Sequence, residues 1–189
     1  MTVVASKFAR AANDLYETEP WVTRVLMRHF PSVQGREIWE PAAGNHAIAY
    51  ELGLWGACIS TSDITTYSKE HTFIYDFLVP RKAIPPLVWN CDIITNPPYG
   101  KGCRDAVRFA HLALQRTNGW IALLLPATFD FGRSRRDLFS DNPRFSFKLA
   151  LTHRIQWFPG EYGSTQNHAW YVWGPLWQPP PRIFYEGKD

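Results

Sequence analysis

The sequence predicts an α/β domain built on a mostly parallel sheet, and three observations carry that reading. Short β-like apolar runs alternate with stretches of helical period. The 189 residues suffice for one cored domain and not for two. The run Trp120–Leu125 is apolar throughout, as befits a central strand covered on both faces. The elements follow in order. A helix is expected to begin near Thr18-Glu19-Pro20, with Thr18 as cap, Pro20 in the first turn and Trp21, Val22, Val25, Leu26 and Phe30 as its apolar stripe, ended by Pro31. A first strand, Arg36–Glu40, runs into the turn Pro41–Asn45, a helix over Ala47–Leu54 and, past Gly56, a second strand over Ala57–Ser62. A short third strand falls at Thr72–Tyr75, and a fourth, Asp92–Thr95, stops at Pro97-Pro98, which neither a helix nor a paired strand continues through. A helix over Arg104–Gln115 leads through Gly119 to the fifth strand, and another helix is expected near Gly132–Phe139. Two apolar runs, Leu149–Phe158 and His168–Trp173, flank the loop Pro159–Gln166 as a hairpin, and the tail Gln178–Pro181 reads as extended on the surface.

Composition narrows the function classes. Twenty Lys and Arg against seventeen Asp and Glu give a net charge of +3, which permits a polyanionic partner without requiring one. Aromatic residues make up 15% of the chain, more than a core of this size needs, so some rings are expected to face a ligand. Cys58, Cys91 and Cys103 are odd in number and scattered, which argues against a disulfide framework and a zinc site and for a reducing compartment. No metal is expected. With no apolar N-terminal stretch and no run long enough to cross a bilayer, the sequence predicts a cytoplasmic protein without a membrane partner. It has no Ser or Cys elbow with a His partner, no HExxH and no Walker loop, so those catalytic plans are set aside.

The most specific feature is Asp92-Ile93-Ile94-Thr95-Asn96-Pro97-Pro98-Tyr99-Gly100. The strand delivers Asn96 to the carboxyl edge of a parallel sheet, where open α/β folds place their ligands. The prolines fix φ and lack N–H donors, so Asn96 Oδ1 and a proline carbonyl can both accept hydrogen bonds from one NH2 group, with Tyr99 stacking on the planar ring that carries it. An ordinary strand-to-helix turn explains the same dipeptides taken singly.

With what precedes it, this segment resembles the class I S-adenosylmethionine-dependent methyltransferases that act on exocyclic or amide nitrogens, above all the N6-adenine DNA methyltransferases with an Asn-Pro-Pro-Tyr motif. The resemblance covers most of the chain. It implies a Rossmann-like, seven-stranded, mostly parallel sheet with helices on both faces and strand seven antiparallel, and S-adenosyl-L-methionine as cofactor. Catalysis would fall to Asn96, Pro97, Pro98 and Tyr99. Glu40-Pro41-Ala42-Ala43-Gly44-Asn45 resembles the family's first motif, with Glu40, Pro41, Ala42 and Gly44 against the cofactor; His46 stands where a second glycine is usual, which would narrow the pocket. Asp63 lies 19 residues past Gly44, where a nucleotide-binding α/β fold puts a carboxylate on ribose hydroxyls, with Ile64 beside it. A solvated turn carboxylate explains Asp63 equally. Asp76-Phe77 resembles the pair that contacts the cofactor's adenine.

Asp14 to Trp21 resembles the family's N-terminal motif, with Tyr16 and Thr18 at the cofactor, although Glu19 separates Thr18 from Pro20 and a simple helix cap remains an alternative for Thr18. Asn96 reaches the cofactor side as well. Leu123–Phe129 resembles the fifth-strand motif that shapes a target-base pocket, assigning Phe129 with Tyr99 to the substrate, and Asn167–Trp173 resembles a further pocket element in which Trp170 and Trp173 read singly as core. Arg133, Arg135 and Arg136 follow strand five at the functional edge, as phosphate contacts or as a solvated helix start.

The implied reaction moves a methyl group to the N6 amine of adenine in DNA, as in bacterial or phage-encoded enzymes. The alternatives are an RNA base amine, a protein glutamine amide, or a degenerate cofactor-binding subunit. The whole of residues 1–189 reads as one catalytic domain without a separate target-recognition domain, which an accessory recognition subunit would supply.

Overall fold

The computed structural model describes residues 15–79, 83–157, 166–176 and 178–188. Its elements are α1 (Pro20–Met27), β1 (Glu37–Glu40), α2 (Ala47–Leu54), β2 (Cys58–Asp63), β3 (Phe73–Ile74), β4 (Asp92–Thr95), α3 (Arg104–Arg116), β5 (Ile121–Pro126), β6 (Phe145–Leu151), β7 (His168–Trp173) and β8 (Arg182–Glu186). They form one sheet in the order β3-β2-β1-β4-β5-β7-β6-β8. β1 pairs in parallel with β2 and β4, and so do β2 with β3 and β4 with β5. β7 is antiparallel to both its neighbours, and β8 runs parallel to β6. Strand order reverses between β1 and β4, so a crevice opens beyond their carboxyl ends.

The sheet is covered on both faces, and the inner positions of its central strands are apolar. All six residues of β5 are buried. Alternate side chains feed two cores: Ile38, Ile94, Leu124 and Trp170 pack under α1 and α2, while Trp39, Ile93, Leu123 and Tyr171 pack under α3. In α3 the residues Ala106, Phe109, Ala110 and Ala113 repeat at helical spacing and are all buried. Its final carbonyls find a donor in Arg144, whose guanidinium reaches the carbonyls of Leu114, Thr117, Gly119 and Gly174. α1 and α2 are joined where Arg24 binds the buried Glu51 carboxylate through Nε at 2.8 Å and Nη2 at 3.0 Å.

Four expectations change. The sheet has eight strands, not seven. The eighth forms where Phe184 finds the α1 side of the sheet, stacking on His29 at 4.3 Å and edge-on to Phe147 at 5.4 Å. Gly132–Phe139 is not an α-helix but a 3₁₀ turn over Arg133–Leu138, because the run offers no apolar stripe and its anchors, Leu138 and Phe139, lie side by side at its end. β6 ends at Leu151, short of Phe158, which lies outside the described residues together with Pro159–Thr165 of the hairpin loop. α1 is flanked by Glu19 with no side-chain cap, and it ends at Met27, before Pro31.

The core sets the stability scale. Leu124→Ala, at a fully buried position of β5, should lower unfolding free energy by about 3 kcal/mol. Leu54→Ala, on the exposed side of α2, should change it by less than about 0.5 kcal/mol. Urea unfolding of the two variants beside the parent chain measures both.

Candidate active site

The turn after β1 is held by carboxylates. Asp63, at the end of β2, accepts the Gly44 N–H through Oδ2 at 3.0 Å and the Ile64 N–H through Oδ1 at 2.7 Å. Gly44 has φ +50°, and a Cβ there would stand 2.8 Å from Leu15 Cδ1, so the turn needs glycine for conformation and for space. Glu40, fully buried at the end of β1, accepts the Ala49 N–H at 2.9 Å, satisfying a donor in the first turn of α2. Burial raises the Asp63 carboxyl pKa against the bonds from Gly44 and Ile64. Burial raises that of Glu40 much further, with the Asp63 charge adding to it.

His46 does not narrow the cavity. It takes a left-handed conformation, φ 68°, and its Nε2 bonds His71 Nδ1 at 2.9 Å while His71 Nε2 bonds the Thr65 carbonyl at 3.1 Å. The carbonyl requires a proton on His71 Nε2. A neutral His71 therefore accepts at Nδ1, and His46 donates from Nε2. The bridge ties the turn after β1 to the loop after β2.

Tyr16, Thr18, Glu40, Pro41, Ala42, Gly44, Asp63, Ile64, Asp76, Phe77 and Asn96 all line one cavity of about 660 Å³. They arrive from five separate stretches of chain. The loop after β3 is fixed by Arg116, which donates to the carbonyls of Phe77 and Val79. The Phe77 ring lies between Phe109, with centroids 4.0 Å apart, and the Arg116 guanidinium at 4.2 Å, so both its faces are occupied. Asp76 accepts the Leu78 N–H. Sequence reasoning missed Tyr67, Leu78, Val79, Lys101, Asp105 and Arg108, which also line the cavity. The signal present was Gly100: at φ +65°, its Cβ position is filled by the Asp105 carboxylate, which brings the start of α3 against the turn.

At the other side of this cavity stands Asn96. Its Nδ2 donates to the Tyr16 carbonyl at 3.3 Å and to Thr18 Oγ1 at 3.4 Å, which directs the amide. Thr18 thus serves Asn96 and not the α1 terminus. Asn96 Oδ1 is buried and, among the described residues, has no hydrogen-bond partner. Pro98 lines the cavity, whereas Pro97 and Tyr99 do not. The Tyr99 hydroxyl donates to the Leu124 carbonyl at 3.1 Å, and its ring stacks on His168 at 6.0 Å. Trp157 meets His168 edge-on at 5.2 Å and Tyr16 at 5.6 Å, so Tyr99, His168, Trp157 and Tyr16 form a continuous aromatic group beside Asn96.

The remaining substrate candidates divide. Phe129 is 1% exposed and packs against Phe139 and Tyr171, so its ring belongs to the core and does not line this cavity. Arg135 donates to the Phe129 carbonyl at 2.6 Å and lies over its ring at 4.4 Å. Arg136 pairs with Asp141 at 3.1 Å, and Arg133 is exposed. The ring that does face solvent is Phe131, 76% exposed. Just behind it, Lys148 Nζ bonds both Asp130 oxygens at 2.9 Å and stands 5.2 Å from the Phe131 ring. Trp170 and Trp173 are fully buried core, their indole N–H groups bonded to the carbonyls of Val22 and Leu138. Among the described residues no cluster of His, Cys, Asp and Glu could hold a metal, the three cysteines are free, and no helix is long and apolar enough to cross a membrane.

No family model matches the sequence, and no curated protein matches it. Solved structures do match in fold. A candidate RNA methyltransferase from Pyrococcus horikoshii superposes with a TM-score of 0.66 at 16% identity, over 90% of this chain and 92% of that one. The modification subunit of a candidate type I restriction enzyme from Vibrio vulnificus gives 0.62 at 15% identity, over 95% of this chain. A candidate class I S-adenosylmethionine-dependent methyltransferase from Listeria monocytogenes gives 0.61 at 13% identity, over 88%. The match spans 48% and 62% of those last two proteins. At these identities the likeness establishes the fold.

His168 makes the site sensitive to acid. Burial pushes its imidazole pKa down to about 4 from 6.5. As pH falls, the unfolded chain takes up this proton first, so stability is lost from about pH 6.5 down to about 4, amounting to about 2 kcal/mol between pH 7.5 and 5. His168→Phe should remove that part of the loss, as read by urea unfolding at the two pH values.

Proposed function

We propose that this methyltransferase-like fold acts as an S-adenosylmethionine-dependent N-methyltransferase and that its acceptor is the N6 amine of adenine in DNA. The observation that carries this reading is Asn96 Oδ1, a buried acceptor without a partner, placed between a cavity and an aromatic group. A buried acceptor left unpaired is costly unless a ligand satisfies it. An NH2 group on a planar ring supplies the missing donor and the flat surface together.

The cavity residues fit the cofactor. Gly44 lets the backbone come close to a ligand, and Asp63, Asp76 and Glu40 offer carboxylates to its hydroxyl and amino groups. When bound, the cofactor supplies an electrophilic methyl group. Every other contribution comes from this chain. Asn96 Oδ1 and the Pro97 carbonyl accept hydrogen bonds from the two N–H groups of the amine, which favours a tetrahedral nitrogen and aims its lone pair into the cavity. The Tyr99 ring, anchored through its hydroxyl to β5, gives a fixed wall for a base that has left its stack. Arg133 is the arginine of its cluster without an internal task, so phosphate contact falls first to it. An accessory recognition subunit would supply sequence discrimination.

DNA is put first because Asn96-Pro97-Pro98-Tyr99 resembles the motif of the N6-adenine DNA methyltransferases. RNA is the second reading, supported by the match to an RNA methyltransferase of almost equal length. A transfer assay offering DNA, RNA and protein with labelled cofactor separates them: label is expected in DNA adenine, label in RNA alone moves the substrate to the second reading, and label in protein alone sinks both.

Two variants test the roles. S-adenosylhomocysteine at about a hundred times its dissociation constant should stabilise the chain by about 2.7 kcal/mol. Asp63→Ala should remove most of that stabilisation, and an unchanged thermal shift would take Asp63 out of the pocket. Asn96→Ala should cut turnover by about a hundredfold or more. Because Asn96 also ties Tyr16 and Thr18, cofactor affinity should weaken too, by less than about tenfold. Single-turnover rates beside equilibrium binding separate the two effects.

A further inference from the structure

We propose that β8 is a self-association edge, at which two copies of this chain join their sheets antiparallel about Phe184. β8 ends the strand order, and among the described residues no strand pairs with its outer side. Its pairing with β6 fixes which backbone groups look outward. Thr152 N donates to the Glu186 carbonyl, and in a parallel ladder the groups that point to one neighbour recur at every second residue. The backbone groups of Arg182, Phe184 and Glu186 therefore point to β6, and those of Ile183 and Tyr185 point away. The exposed large apolar side chains of the strand fall on the same two residues, Ile183 at 59% and Tyr185 at 70%. Sheet edges are usually blunted by charged side chains, proline or a bulge; here the charges, Arg182 and Glu186, stand only at the two ends of the strand, and Ile183-Phe184-Tyr185 between them carries no such device.

The strand itself selects the occupant. Arg182-Ile183-Phe184-Tyr185-Glu186 is complementary to its own reverse. Antiparallel pairing about Phe184 sets Ile183 of one copy opposite Tyr185 of the other, and Arg182 opposite Glu186, on both sides of the two-fold axis; the Glu186 carboxylate already holds Arg28 at 2.9 Å and His29 at 2.7 Å in its own chain, so Arg182 of the second copy joins that cluster. Cross-strand pairs of opposite charge and of aromatic with β-branched residues are the favourable ones. Among the described residues no carboxylate pairs with Arg182 within the chain; its guanidinium lies over the Phe184 ring at 5.7 Å. In this register the Ile183–Tyr185 pairs are the hydrogen-bonded ones, so every outward amide and carbonyl of the two residues is used. A slip by one residue would set outward groups against inward ones. The cavity, at β1, β2 and β4, lies at the far end of the sheet and stays open. The proposal is independent of the methyl-transfer reading.

Sedimentation equilibrium of the full chain tests it. The mass should rise with concentration toward twice 21.8 kDa. Ile183→Lys/Tyr185→Lys, which alters only exposed side chains, should hold the chain at the single mass with an unchanged far-ultraviolet spectrum. Arg182→Glu, which sets carboxylate against carboxylate, should weaken the dimer about tenfold. Amide hydrogen exchange should show Ile183 and Tyr185 gaining protection with concentration while Phe184 does not change. A chain that stays at the single mass at hundreds of micromolar, a dimer that survives the lysine pair, or a dimer indifferent to Arg182→Glu would each overturn it. Should the lysine pair unfold the chain, Arg182→Glu and the exchange pattern decide alone.

Discussion

The parallel pairing of β1 with β4 is the constraint on which the site depends. Ile38 pairs with Asp92 and Trp39 with Ile93, so the two strands end side by side while their chains leave to opposite faces, one toward α2 and the other toward α3. The crevice left between them needs walls, and each wall begins at a strand end. Pro41–Gly44 follows β1, and Asn96–Gly100 follows β4. Prolines at 97 and 98 suit the second wall because a chain leaving a parallel strand at this edge has no further ladder partner to lose. Glycines at 44 and 100 sit where the Leu15 and Asp105 side chains press closest.

Polar order in this crevice is bought at an electrostatic cost. Glu40 and Asp63 hold the backbone amides of the turn and of α2, and burial raises both their pKa values. Desolvation outweighs the amide bonds in each case, so neither carboxylate is fully compensated by the protein alone. A ligand rich in hydroxyl and amino donors relieves that imbalance. His46 tells a similar story for the backbone: a left-handed residue with a Cβ costs about 1–2 kcal/mol, and the bond to His71 offsets part of it by fixing the loop that carries Ile64 and Tyr67. The fold thus reaches by side-chain bonding a turn that a second glycine would adopt freely.

The strands that build the crevice are legible in the sequence because short apolar pairs, Ile38-Trp39 in β1 and Ile93-Ile94 in β4, stop before prolines, and Gly56 opens the way into β2. β4 and α2 fall on their expected residues, and β1, β2, α3 and β5 shift by a residue or so at their ends. Residues that line the cavity are legible in the same way: a turn glycine, a carboxylate at a strand end and an Asn-Pro-Pro run are local patterns with local causes. What the sequence concealed depends on tertiary partners. β8 is five residues that pair only because β6 offers an edge and His29 offers a ring to Phe184. Arg108 and Asp105 reach the cavity from a helix whose sequence announces only its buried stripe. Thr18 looks like a cap because capping is a local rule, yet its hydroxyl is taken by Asn96, distant in sequence.

The loop after β5 shows where reading by pattern stops. Phe129 and Phe131 are two residues apart in a 3₁₀ turn, and sequence alone does not say which of them the core takes. The choice is made by Asp130 between them. Its carboxylate accepts from Lys148 Nζ and from the Tyr171 hydroxyl, both rising from strands beneath the loop. With that carboxylate held down, Phe129 enters the core between Phe139 and Tyr171, and Phe131 is left outside. A part-buried ion pair is weak evidence for stability, and here its effect is on orientation: it decides which aromatic ring faces solvent. The turns and strand ends that frame the cavity are therefore local in the sequence, whereas the order of this loop rests on a charge pair with β6, which no spacing rule along the chain brings together.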